Sequence, residues 1–226
     1  MKIVQLEIFS TDLEKQKKFY HENLGLEILS EDESSISLKI GHSTLKLSRR
    51  NESKVYHYAI NIPANQIQEG LAWLKTKVDV ITSENTEIQQ FEDWNAEAIY
   101  FFDAEGNIGE LISRKNLNNN SDEQFNSKSL LEISEIGIPT LDICHEYEVL
   151  KAASELPIYS GSFERFCAAG DEHGLFILIN KSAKKEWFPT DIKAKSADFN
   201  IQFSENEAVH TFEYKDQILS AKNSLA

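Results

Sequence analysis

The stretch Tyr100-Phe101-Phe102-Asp103-Ala104-Glu105-Gly106-Asn107-Ile108-Gly109-Glu110-Leu111-Ile112 joins two apolar runs through a polar turn and sets one carboxylate, Glu110, among aliphatic residues. Asp103, Gly106 and Asn107 supply turn chemistry, so the flanking runs read as adjacent strands, 97–102 and 108–113. Upstream, the same unit opens with a strand over 56–62. A helix over 64–77 follows, with Ile67, Leu71 and Leu74 at helical spacing, and then strands near 78–81 and 87–91. An earlier copy of this βαβββ grammar fills the first 50 or so residues: a strand over 2–9, cap chemistry at Ser10-Thr11-Asp12, a helix carrying Leu13, Phe19 and Tyr20, and strands over 26–30, 35–40 and 44–49.

Beyond residue 128 the grammar restarts, with a strand over 131–138, a helix over 142–154 and strands around 163–168 and 175–180. The tail offers two further strands, 199–203 and 210–214, without room for another helix. The expected fold class is therefore α+β: paired βαβββ units forming a curved-sheet cleft, with a second, incomplete copy toward the C-terminus. Residues 1–115 are expected to form one complete domain of two units, 1–52 and 53–115, that share the cleft. Residues 116–128 read as a polar linker and 129–226 as a partial domain of one unit plus a strand remnant.

The chain has 226 residues, of which 23 are Lys or Arg and 37 Asp or Glu, a formal net charge of -14. No basic face stands out to neutralise phosphates, so a nucleic-acid partner is not expected. Cys144 and Cys167 form neither a CxxC pair nor a dense disulfide pattern, and no leader-like or membrane-spanning run is evident, so a cytoplasmic location and no membrane partner are expected. A P-loop, GxSxG and HExxH are all missing from the sequence.

Strand alternation sorts the polar residues. Leu6 and Ile8 share one face while Gln5 and Glu7 share the other; Tyr58, Ile60 and Ile62 oppose His57, Ala59 and Asn61; Leu45 and Leu47 oppose Lys46. With the apolar faces packed on helices, Gln5, Lys46, His57 and Glu110 are free to converge in a cleft. The stretches Thr11-Asp12-Leu13-Glu14, Phe19-Tyr20 with Leu24-Gly25-Leu26, and Tyr100 to Ile112 resemble the vicinal oxygen chelate superfamily, which includes glyoxalase I, extradiol dioxygenases and bleomycin-resistance proteins. The resemblance covers most of residues 1–115 and is only topological beyond them.

The resemblance implies metal positions at Gln5, His57 and Glu110, a set suited to Zn, Fe, Mn or Ni. It implies a divalent-metal-dependent lyase or dioxygenase acting on a small vicinal-oxygen substrate, with Glu7 or Lys46 as the proton-transfer group and Tyr100 and Phe102 lining the ligand pocket. Lys46 stands where glyoxalases often carry Glu, which leaves an alternative: no metal, Lys46 paired with Glu110, and a resistance-type protein that binds a small molecule. The incomplete second half leaves two options open, completion within the chain or across a homodimer. In the third unit Glu135 falls near the first-strand ligand position, but Ile177 or Leu178 takes the intervening place and no His lies opposite, so a second centre there is not expected.

Overall fold

The computed structural model describes residues 1–52 and 54–222. The first unit comprises β1 (Lys2–Ser10), α1 (Leu13–Lys17) continued by a π-helical turn over Lys18–Asn23, β2 (Ile28–Glu31), β3 (Ser35–Ile40) and β4 (Ser43–Arg49). The second comprises β5 (His57–Ile62), α2 (Ile67–Lys75), β6 (Val80–Ile81), β7 (Gln89–Phe91), β8 (Ala96–Phe102) and β9 (Ile108–Arg114). The third runs through β10 (Glu132–Thr140), α3 (Ile143–Ser154), β11 (Ile158–Gly161), β12 (Phe166–Asp171) and β13 (Gly174–Asn180). The tail supplies three strands where two were expected: β14 (Phe199–Glu205), β15 (Ala208–Lys215) and β16 (Ile218–Lys222).

Two of the helices start on the same device. The carboxylate of Asp12 accepts from the Lys15 N–H, and that of Asp142 from the His145 N–H, each at 3.0 Å. Each pairing satisfies a donor that the helix itself leaves open.

The strands form two mixed sheets, one of seven strands in the order β16-β15-β14-β1-β4-β3-β2 and one of nine whose main path is β11-β12-β13-β10-β5-β9-β8-β6. This pairing corrects the expectation that the first two units share one cleft. β1 pairs antiparallel with β14, and β5 pairs antiparallel with β10, so the first unit joins the tail and the second joins the third. The two sheets pack their apolar faces into one core that contains Leu6, Ile8, Tyr58, Ile60, Ile136 and Phe176. Asp103 ties the first two units together from this core: its carboxylate accepts from Gln16 Nε2 at 2.7 Å and Tyr20 hydroxyl at 2.8 Å, both from the first helix, and from Asn107 Nδ2 at 2.8 Å. The turn residues of the opening motif thus act as a buried clamp between units.

The polar stretch 116–128 straps the outer side of α2. Gln66 Nε2 donates to the Glu123 carbonyl at 2.7 Å, and Phe125, which is buried, packs on Trp73. Among the described residues no helix is long and apolar enough to cross a membrane.

Candidate metal centre

The centre of the nine-stranded sheet is β13-β10-β5-β9, and its register decides which side chains meet. Ala59 on β5 lies opposite Glu110 on one side and Glu135 on the other. His57, two residues earlier on the same strand, projects to the same face. One ligand atom each from His57, Glu110 and Glu135 lie within 4.8 Å of one another, and all three residues are buried. His57 Nε2 is 3.4 Å from a Glu110 carboxylate oxygen, while His57 Nδ1 is buried with no hydrogen-bond partner.

The second and third units contribute matching positions. His57 lies opposite Ile108, two residues before Glu110, and Glu135 lies opposite Leu175, two residues before Ile177. Glu135 therefore holds in the third unit the place of His57 in the second, and Ile177 holds that of Glu110. Glu135 reaches this face through a bulge: Ile133 opposes Ile60 and Glu135 opposes Ala59, so two steps on β10 span one on β5.

Arg114, fully buried on β9, donates from Nη2 to Glu135 and from Nε to Asn61 Oδ1 at 3.2 Å. Its other terminal nitrogen has no partner. Burial, then the nearby Glu110 carboxylate, raises the Glu135 carboxyl to about 7 against the opposing pull of Arg114. Burial, then the charges of Glu110 and Glu135, likewise pushes the Tyr100 hydroxyl well above its ordinary range.

These side chains open into a cavity of about 300 Å³ with aromatic walls that include Phe91, Trp94, Tyr100, Phe166, Trp187 and Phe188. Its roof is the segment between β13 and β14. Trp187 lies over the sheet with its ring 5.3 Å from that of His57. Gly137 makes this approach fit, because a Cβ there would come within 2.3 Å of the Trp187 ring. Phe188 closes edge-on against Tyr100 at 5.7 Å and Phe91 at 6.0 Å.

Of the residues singled out from sequence, the structure brings His57, Glu110 and Tyr100 together with Glu135, for which no metal role was expected, and leaves Gln5, Glu7, Lys46 and Phe102 elsewhere. Gln5, Glu7 and Lys46 lie in the seven-stranded sheet, because β1 and β4 pair there. Lys46 forms an ion pair with Glu7 at 3.0 Å rather than with Glu110. Phe102 ends its strand 38% exposed and does not line the cavity. Glu135 takes the place in the cluster that sequence reading assigned to Gln5, while Arg114, Lys184 and Trp187 complete the surroundings. Glu135 had a legible signal, the first-strand position of its unit, but not the pairing that gives it partners.

The chain is similar in structure to a putative dioxygenase from Bacillus subtilis, with a TM-score of 0.64 and 12% sequence identity over 98% of this chain and 84% of that one. The fold is the one seen in solved glyoxalase I and dioxygenase structures. A V278E mutant of glyoxalase I from Zea mays matches with a TM-score of 0.56 and 13% identity over 87% of this chain and 71% of that one. Glyoxalase I from the same plant matches at 0.54 and 13% identity, over 78% and 66%. No family model matches the sequence, and no curated protein matches it.

Proposed function

We propose that the chain holds one divalent cation between a His57 ring nitrogen and the carboxylates of Glu110 and Glu135, and that this centre acts on a small molecule bearing two adjacent oxygens. The observation that carries this reading is a three-ligand cluster within 4.8 Å at the foot of an aromatic cavity. The donor set suits Zn²⁺, Fe²⁺, Mn²⁺ or Ni²⁺. Glu110 and Glu135 are both buried, Arg114 pairs with Glu135 alone, and His57 Nε2 lies 3.4 Å from Glu110, so a cation held among the three would relieve the cost of the second buried carboxylate.

When bound, the cation would supply Lewis acidity to the two oxygens. The chain's own residues do the rest. Arg114 fixes the Glu135 carboxylate, which is placed to accept a proton from the substrate. Ile177, at the place matching Glu110, offers no ligand atom and leaves that side open to the substrate. Trp187 and Phe188 roof the cavity against water. A lyase and a ring-cleaving dioxygenase both fit this arrangement; the Zea mays and Bacillus subtilis proteins carry one name of each kind.

The Arg114–Glu135 ion pair favours a second reading, a metal-free pocket for a flat ligand in which Arg114 and Lys184 supply the positive charge that balances the carboxylates. Calorimetric titration with Zn²⁺, Mn²⁺ and Ni²⁺ separates the two. The first reading expects one ion per chain, with binding lost in His57→Ala and Glu110→Gln. Folded wild-type protein that takes up none of the three metals would leave only the second.

A further inference from the structure

We infer that the cavity selects a small planar molecule carrying a carboxylate in addition to its two adjacent oxygens, and that Lys184 is the residue that reads this carboxylate. The two oxygens rest on the function proposed above; the role of Lys184 does not. Lys184 lines the same cavity as Glu110 and Glu135, on the segment that forms the roof. Its backbone is fixed immediately after β13, where the Ala183 and Lys184 N–H groups both donate to the Asn180 carbonyl, at 2.9 and 2.8 Å. The ammonium lies 5.6 Å from the centre of the Phe166 ring, a contact that orients it without neutralising it.

Among the described residues no carboxylate forms an ion pair with Lys184; most lysines of the chain are likewise without one, but Lys184 is the one that lines this cavity. Acidic residues outnumber basic ones by 37 to 23, so an unpaired lysine inside an aromatic cavity is not the outcome of a shortage of acids. Burial, then the charge of neighbouring Arg165, lowers its affinity for a proton. A cation in such a place carries a desolvation cost that an anionic ligand group offsets.

The charge balance leads to the same ligand. Glu110 and Glu135 face Arg114 and Lys184, so a divalent cation would leave the cavity with surplus positive charge, which a ligand carrying a carboxylate besides its chelating oxygens offsets. The surrounding rings, with Trp94 and Phe166 6.1 Å apart and tilted by 38°, offer faces and edges to a flat ring.

The test uses the full chain and two probe pairs that differ by a carboxylate, followed by calorimetry and by the fluorescence of Trp94 and Trp187. The first pair is benzoate and benzyl alcohol on chelator-treated protein; the second is 2,3-dihydroxybenzoate and catechol on Mn²⁺-loaded protein. Within each pair the carboxylate should improve affinity about tenfold or more. Lys184→Met should bring that ratio to about one without weakening benzyl alcohol, while Lys184→Arg should keep most of the preference. An unchanged ratio in Lys184→Met, a preference of the wild type for the neutral probes, or no benzoate binding up to its solubility would each overturn the inference. Failure of the metal reading shows differently: 2,3-dihydroxybenzoate would then bind no better than benzoate after Mn²⁺ loading, with the Lys184 dependence intact.

Discussion

In the nine-stranded sheet Ala59 stands between Glu110 and Glu135 across the ladder; in the seven-stranded sheet Glu7 holds the matching place between Lys46 and Asn200. The two centres share a plan: parallel pairing of the first and last strands of a unit, antiparallel pairing with the first strand of the partner, and a bulge two residues ahead of the site on β10 and between Ile3 and Gln5 on β1. Alanine in the middle leaves the carboxylates flanking an open floor. Glutamate in the middle closes the floor, because Glu7 accepts from Ser48 at 2.6 Å and from Asn200 at 2.7 Å and pairs with Lys46. Burial opposes ionisation of Glu7, but the hydrogen bonds from Ser48, Lys46 and Asn200 prevail and hold its carboxyl below the ordinary value. The seven-stranded sheet satisfies its central carboxylate internally, although Asn200 Oδ1 is left without a partner among the described residues, whereas the nine-stranded sheet leaves His57 Nδ1 and one terminal nitrogen of Arg114 without one.

The largest effect should come from making the open floor resemble the closed one. Ala59→Glu adds a third carboxylate beside two buried ones, and with Ala59 fully buried the metal-free protein should lose about 3 kcal/mol or more of stability, read by urea unfolding. An unchanged midpoint would mean that the floor has room and solvent to spare.

A smaller effect is expected from pH. The folded state holds the Glu135 proton up to about 7, whereas an unperturbed Glu releases it near 4.5. Between those values the folded chain binds more protons than the unfolded one, so the contribution of Glu135 to stability falls as pH rises through that window and levels off above it. Metal-free Glu135→Gln should lose this slope relative to wild type in thermal melts at a series of pH values. Parallel profiles for the two proteins would contradict the assignment.

The smallest effect belongs to the other sheet. Lys46→Met breaks an ion pair with a half-exposed lysine and should cost about 1 kcal/mol. It should leave divalent-cation affinity unchanged, because Lys46 lies outside the cluster. Tighter or weaker cation binding in this variant would join the two sheets in a way the strand pairing does not.

The contrast between the sheets also explains what was legible in the sequence. Caps at Asp12, the turn at Asp103 to Asn107 and the alternation around Tyr58 and Leu6 are local signals, and they placed strands, helices and the inward faces of His57 and Glu110. The partner of each unit is set by pairing between strands far apart in the chain, β1 with β14 and β5 with β10. β1 and β5 show the same alternation, so nothing local distinguishes a cleft shared between them from two clefts completed elsewhere. The bulge on β10 adds a second obstacle: strict alternation puts Ile133 and Glu135 on one face, whereas the register sends Ile133 into the core and Glu135 to the cavity. The run Lys184 to Pro189, with aromatics beside cations, reads from sequence as a lid, an interface edge or, more expectedly, ordinary burial; that it roofs this cavity depends on the close approach of Trp187 over Gly137, which no local signal shows.

The most direct test of this account is anomalous diffraction from crystals of the wild-type chain grown with Mn²⁺. The account predicts one strong peak per chain, enclosed by His57, Glu110 and Glu135, and none at Gln5 and Lys46. A peak in the seven-stranded sheet, or an ordered cluster in which Arg114 alone faces both carboxylates and no ion is present, would contradict it.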